Sequence, residues 1–242
     1  MKSQLIDLQE CLPEYSIYGA PRDNFTPNPL YNPVLIHTKS PIKLEVVRSG
    51  TFWLSDTPNE KSSKLASSKE PRICSWVELN AYGCFKPIYV ATTHLAYRSM
   101  RTATGQIRKL MSHISENIIP YVSDKDGNIP KNGILHGKYH SDENIILTGD
   151  FNWESNSTVY SAMKNVFGMS NTMENSMVRY PALTALPPYP GLIDYVWQTG
   201  FRSMLSATLM DQRKDNGRYM SCLLYTSPSP RDATLSRMPS SA

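Results

Sequence analysis

The hexapeptide Leu147-Thr148-Gly149-Asp150-Phe151-Asn152 sets a carboxylate and a carboxamide two positions apart, just after a glycine and an apolar run. Asp150 can orient a water or hold a hard cation, and Asn152 can donate N–H bonds to a phosphoryl oxygen without adding negative charge. On its own, Gly-Asp after a strand is also an ordinary turn. Ala91-Thr92-Thr93-His94-Leu95 ends a second apolar run and Leu192-Ile193-Asp194-Tyr195-Val196-Trp197 places a carboxylate within a third, which weighs against the turn reading. A strand-end histidine is commonly no more than a hydrogen-bonded structural residue. A carboxylate inside an apolar strand is more telling, because burying it unpaired is costly.

These residues need elements to carry them. The apolar runs predict strands at residues 34–37, 44–47, 52–54, 73–79, 88–94 and 143–147, with further strands around Asp194 and at 203–209. A short helix is predicted at 3–8, followed by a Pro- and Asn-rich loop to about residue 31, and an exposed Ser/Lys-rich loop at 59–70. Ser99 can cap a helix whose Ala103, Ile107, Leu110, Met111, Ile114 and Ile118 recur every three or four positions. Another helix is plausible at 158–166, and residues 121–142 read as a surface insertion. The alternation of strands and helices indicates an α/β fold.

Together with Ser49-Gly50-Thr51-Phe52-Trp53-Leu54-Ser55-Asp56-Thr57-Pro58 and Arg72-Ile73-Cys74-Ser75-Trp76, this order closely resembles the endonuclease/exonuclease/phosphatase superfamily, the DNase I-like metal-dependent phosphoesterases. The resemblance covers nearly everything up to Ser221. It implies a four-layered α/β fold, a two-sheet β-sandwich flanked by helices. It also implies that Asp150 orients or deprotonates the attacking water, that Asn152 and His94 hold the phosphate, and that Asp194 fixes the tautomer of a second histidine. Asp150 and Asn152 would contribute to a Mg2+ site, with Mn2+ as a substitute. Oxygen donors suit such hard cations. Where many relatives continue Thr-His-Leu with Asp-His, this chain has Ala96-Tyr97, which leaves its substrate preference open.

The resemblance further implies a domain over residues 1–221 that lacks both family ends, so the chain itself is expected to be inactive. Residues 1–8 resemble the helix that follows the family's first strand and its metal-binding Gln-Glu pair, and Cys222-Leu223 stand where the family has Asp-His. Residues 222–242 read as a non-native, disordered tail, because Cys222-Leu223-Leu224-Tyr225-Thr226-Ser227-Pro228 and Ser236-Arg237-Met238-Pro239 are what a transposon-type sequencing adapter encodes in one frame.

Composition narrows the remaining classes. A net charge of +4 is too small to argue for nucleic acid unless the basic residues cluster. Cys11, Cys74 and Cys84, without metal-ligand spacing, fit neither a zinc site nor a disulfide framework and suit an intracellular setting. His136 and His140 flank Gly137 in a polar loop and do not read as a metal pair, and His113 reads as an ordinary surface residue. No run approaches a membrane span. The expected partner is a phosphate ester, with nucleic acid, inositol phosphates and lipid phosphates all open, and the chain is expected to be a monomer. Two functions stand: a phosphodiester hydrolase or nuclease, and a non-catalytic module that keeps the fold without the chemistry.

Overall fold

A computed structural model describes residues 2–119, 143–180, 184, 191–201 and 205–207. At its centre is a six-stranded sheet in the order β3 (Leu44–Trp53), β4 (Ile73–Ala81), β5 (Ile88–His94), β6 (Asn144–Asp150), β9 (Asp194–Thr199), β7 (Ser170–Asn171). All neighbours are antiparallel except β5 and β6, which run parallel. A parallel pair needs a long crossover. Helix α2 (Met100–His113) lies in it, capped at Ser99, whose hydroxyl accepts from the Thr102 N–H. The helix continues through a wider π-type turn at Ile114–Ile118.

Strand alternation divides the side chains between two layers. Tyr89, Ala91, Ile145, Leu147, Tyr195 and Trp197 point to one face, where α2 seals them with Ala103, Ile107, Leu110 and Met111. The short helix α3 (Thr158–Ser161) adds Val159 and Tyr160 to the same core. On the other face Val77 and Leu79 meet Val34 and Ile36 of a small antiparallel sheet, β1 (Tyr15–Tyr18) with β2 (Val34–His37). Helix α1 (Lys2–Cys11) precedes β1, and α4 (Thr172–Asn175) leads into β8 (Val178–Tyr180), which pairs in parallel with β10 (Leu205–Ala207).

The α/β fold class expected from the sequence is the one observed. Three local expectations change. The predicted loop from the 3–8 helix to about residue 31 contains β1, held by pairing with β2 and not by any local periodicity. The two strands predicted at 44–47 and 52–54 form one continuous strand with a bulge between Val46 and Arg48. Its Gly50 lies against Trp76, whose Nε1 would be 2.9 Å from an added Cβ. The predicted 158–166 helix divides into α3 and a π-type turn at Ala162–Val166. The insertion at 121–142 with His136 and His140, and the segment 222–242, lie outside the described residues.

Candidate active site

Topology brings the candidate residues to one edge of the sheet. His94 is the last residue of β5, Asp150 the last of β6 and Asp194 the first of β9. Register pairs His94 with Asp150 and Asp150 with Asp194, so three strand ends in a row present an imidazole and two carboxylates on one face. The Phe151 N–H donates to the Ile193 carbonyl, which makes 151/193 the hydrogen-bonded pair. Asp150 and Asp194 are therefore a non-hydrogen-bonded pair, the closer arrangement, with Cα atoms about 4.5 Å apart in ideal geometry.

Each residue of the turn after β6 has a steric or hydrogen-bonding reason for its type. Gly149 has φ +147°, and a Cβ there would sit 2.0 Å from the Thr93 carbonyl oxygen. Only glycine lets β6 lie this close to β5 at the site. Phe151 is fully buried, with its ring edge-on to Tyr195 at 5.8 Å and to Trp197 at 6.2 Å. It anchors the turn between the two polar residues. Asn152 takes φ +60°, a left-handed conformation that asparagine tolerates better than most residues. Its backbone N–H donates to Asp150 Oδ1 at 2.8 Å, an Asx turn that fixes the carboxylate. Asn152 Nδ2 donates to the Leu95 carbonyl at 2.8 Å, tying the turn to the residue after His94. That bond engages one of the two amide N–H groups with which Asn152 was expected to hold phosphate.

The segment leaving β5 is equally constrained. Leu95 N–H donates to the Asp150 carbonyl, Ala96 N–H to Gln106 Oε1 of α2, and Trp153 Nε1 to the Ala96 carbonyl. His94 Nε2 lies 3.5 Å from Asp150 Oδ2, too long for a good hydrogen bond. That nitrogen is buried and has no hydrogen-bond partner.

Two arginines that the sequence reading did not single out as functional surround this histidine. Arg72, one residue before β4, is buried, and its Nη1 has no hydrogen-bond partner. Its Nη2 lies 3.7 Å from Glu70 Oε2, and Arg22 Nη1 reaches the same oxygen at 3.1 Å. Burial, then Arg22, lowers the Arg72 pKa to about 10, with Glu70 and Asp150 opposing the shift. Burial first, then Arg72 and Arg22, holds the His94 imidazole well below its usual pKa and hence neutral. Asp150 moves the other way: burial, then the facing Asp194, pushes it up to about 7, against the Asn152 N–H and Arg72. Asp194 is also raised, by burial, with a Thr184 hydrogen bond opposing. The residue as a whole is exposed at the head of β9.

Asp150, Asn152 and Asp194 present oxygen donors of the kind a hard cation takes while keeping several waters. Among the described residues there is no group of three or more His, Cys, Asp or Glu that could hold a metal. The donor set therefore fits a partly hydrated cation and not a closed protein cage. Also among the described residues, no helix is long and apolar enough to cross a membrane.

The comparison with solved structures agrees with this architecture. An endonuclease/exonuclease/phosphatase family protein from Bacteroides thetaiotaomicron superposes with a TM-score of 0.66 at 23% identity, covering 90% of this chain and 74% of that one. A mannosyl-6-phosphatase from the same organism gives 0.67 at 23% identity, over 90% and 76%. The D. rerio TDP2 structure with a single-strand DNA product gives 0.59 at 14% identity, over 91% and 78%. No family model and no curated protein matches the sequence. The fold is that of the endonuclease/exonuclease/phosphatase superfamily, the DNase I-like class.

Proposed function

We propose that the chain is a phosphoric ester hydrolase, acting on phosphodiesters with Mg2+ or, as a substitute, Mn2+. The observation that carries this reading is His94 Nε2, a buried nitrogen without a hydrogen-bond partner beside a carboxylate that a second carboxylate faces. A neutral imidazole in that position donates its N–H to a nonbridging phosphoryl oxygen, and the nearby guanidinium of Arg72 draws the anion inward. Asp150, fixed by the Asn152 N–H, orients a water toward phosphorus and takes its proton. The water oxygen forms the new bond, the ester P–O bond breaks, and the departing alkoxide takes a proton from solvent. Asp150, Asn152 and Asp194 are the residues that would hold the cation, which supplies neutralisation of charge gathering on the phosphoryl oxygens. The sequence reading expects this chain to be inactive, and Mg2+-dependent turnover would correct that expectation.

The test is hydrolysis of bis-p-nitrophenyl phosphate with Mg2+ or with chelator. Mg2+-dependent release is expected, falling about 10²-fold or more in Asp150→Ala with the circular dichroism spectrum unchanged. Binding of the ester without hydrolysis at any metal concentration would favour the non-catalytic module. Hydrolysis that Asp150→Ala leaves intact would remove the assignment.

A further inference from the structure

Beside the strand ends lies a small open cleft of about 70 Å³, walled by the segment from Ser67 to Arg72 and by the chain running out of His94 through Ala96, Tyr97 and Arg98 to the start of α2. Its contents are chemically one-sided. Lys69, Arg72 and Arg98 line it with Glu70 as the single carboxylate, and Glu70 is already engaged by Arg22. Several of the wall's hydroxyls make bonds within the protein. Ser68 Oγ donates to the Glu70 carbonyl and accepts from Gln106 Nε2, Ser99 accepts from the Thr102 N–H, and Thr102 Oγ1 donates to the Ser67 carbonyl. Tyr97 is engaged too: its hydroxyl accepts from Arg98 Nε at 2.9 Å, and the Arg98 guanidinium lies 5.4 Å from its ring centre. The Arg98–Tyr97 contacts brace that guanidinium at the rim and leave the tyrosine ring a poor platform for stacking a base.

Beside the O–H groups of Ser67, Ser99 and Tyr97, the donors lining the cleft are cationic. Arg72 is the decisive one, because it is 3% exposed, borders this cleft, and keeps its Nη1 without a partner. A buried unpaired guanidinium N–H carries a desolvation cost that an anion would relieve. Arg72 also interacts electrostatically with Asp150, which links the cleft's charge to the strand-end site.

We propose that this cleft is a subsite for a second phosphoryl group of the substrate, held by Arg72 from inside and by Lys69 and Arg98 at the rim. The proposal rests on the phosphoester reading of the His94 site and extends it to substrate class: the preferred ester carries two phosphoryl groups. The second group can belong to a small polyol bisphosphate or to the neighbouring phosphate of a nucleotide chain. Ala96 and Tyr97, which stand where many relatives have Asp-His, form part of the cleft.

Isothermal titration in Mg2+ buffer tests it with three probes: propyl phosphate, 1,3-propanediol bisphosphate and a 5′-phosphorylated dinucleotide. The wild-type chain should bind at least one two-phosphoryl probe about tenfold or more tightly than propyl phosphate, and whichever probe wins identifies the source. Arg98→Ala and Lys69→Ala, both at exposed positions, should bring that preference close to one while propyl phosphate binding holds. Arg72→Lys, which keeps the charge but loses the fork of N–H donors, should weaken the two-phosphoryl probe in the same direction. A wild-type preference near one, or a preference that survives Arg98→Ala, Lys69→Ala and Arg72→Lys, would overturn the proposal. If propyl phosphate fails to bind while a two-phosphoryl probe binds in an Arg98-dependent manner, the subsite stands and the hydrolase reading falls.

Discussion

Asp150 and Asp194 face each other across the β6–β9 ladder as a non-hydrogen-bonded pair, so two carboxylates share one side of the sheet at its edge. Like charges directly opposite on neighbouring strands destabilise a sheet. Desolvation of Asp150 adds to the cost, and both carboxyls shift upward in pKa. The fold tolerates the pair because the apolar residues beneath it, Phe151, Tyr195 and Trp197, anchor both strands. Stability given up at one polar position is a common mark of a functional site.

The pair makes stability depend on pH in a definite direction. The Asp150 pKa rises from 3.8 to about 7 on folding, so the folded state favours the proton. Its contribution is fully present below the unfolded value and is lost as pH climbs through about 7. The upper bound is roughly 4 kcal/mol, and sharing with Asp194 and partial exposure bring the expectation to about 1–3 kcal/mol. Asp150→Asn should therefore raise the melting temperature by several degrees at pH 8 and by almost nothing at pH 4. His94 contributes with the opposite sign: its lowered pKa favours the fold above 6.5, and that contribution is lost as pH falls. Comparing the variant with wild type at each pH largely removes the histidine's share.

Mg2+ should relieve the same repulsion. Thermal melting at pH 8 is expected to show a stabilisation that grows with Mg2+ concentration, as for any ligand that binds only the folded chain. The shift should shrink to near zero in Asp150→Asn. Equal shifts in the two proteins would place the cation elsewhere.

Much of this arrangement was legible in the sequence, the elements from residue patterns and the site from the family resemblance. The strand at 88–94 has the predicted bounds, and the helix begins after Ser99 as its cap requires. His94, Asp150, Asn152 and Asp194 are brought together as their motifs suggested. The facing of Asp150 and Asp194 was not legible, because strand order and register are properties of the whole sheet and not of either segment. Arg72 was missed for a related reason. An arginine at the head of an apolar strand reads as solvated, and only packing by Glu70, Arg22 and the cleft walls buries it. Gly50 obscured the continuity of β3, since a mid-strand glycine suggests a break until the Trp76 ring is seen to occupy the space.

Gly149→Ala should be among the most damaging single changes in the chain. The new Cβ meets the backbone of Thr93, not a movable side chain, and the residue already holds φ +147°. A loss of roughly 3–5 kcal/mol is expected from combined backbone strain and strand separation. Chemical denaturation measures it, and a loss below about 1 kcal/mol would contradict the close β5–β6 approach.

Asn152→Ala removes the amide bond to the Leu95 carbonyl and leaves an alanine at φ +60°. Together these should cost about 1–3 kcal/mol. Asn152→Gly keeps the backbone conformation and should recover part of that loss without restoring the Leu95 contact. Denaturation midpoints in the order wild type, Gly, Ala are the expected outcome, and Ala equal to Gly would argue against strain at this position.

The most direct test of the central claim is a crystal structure with Mg2+ and inorganic phosphate. The account predicts phosphate within hydrogen-bonding distance of His94 Nε2 and a cation on Asp150, at the row of strand ends that Asp194 completes. A phosphate bound elsewhere, with His94 Nε2 still unpartnered and no cation at Asp150, would contradict it.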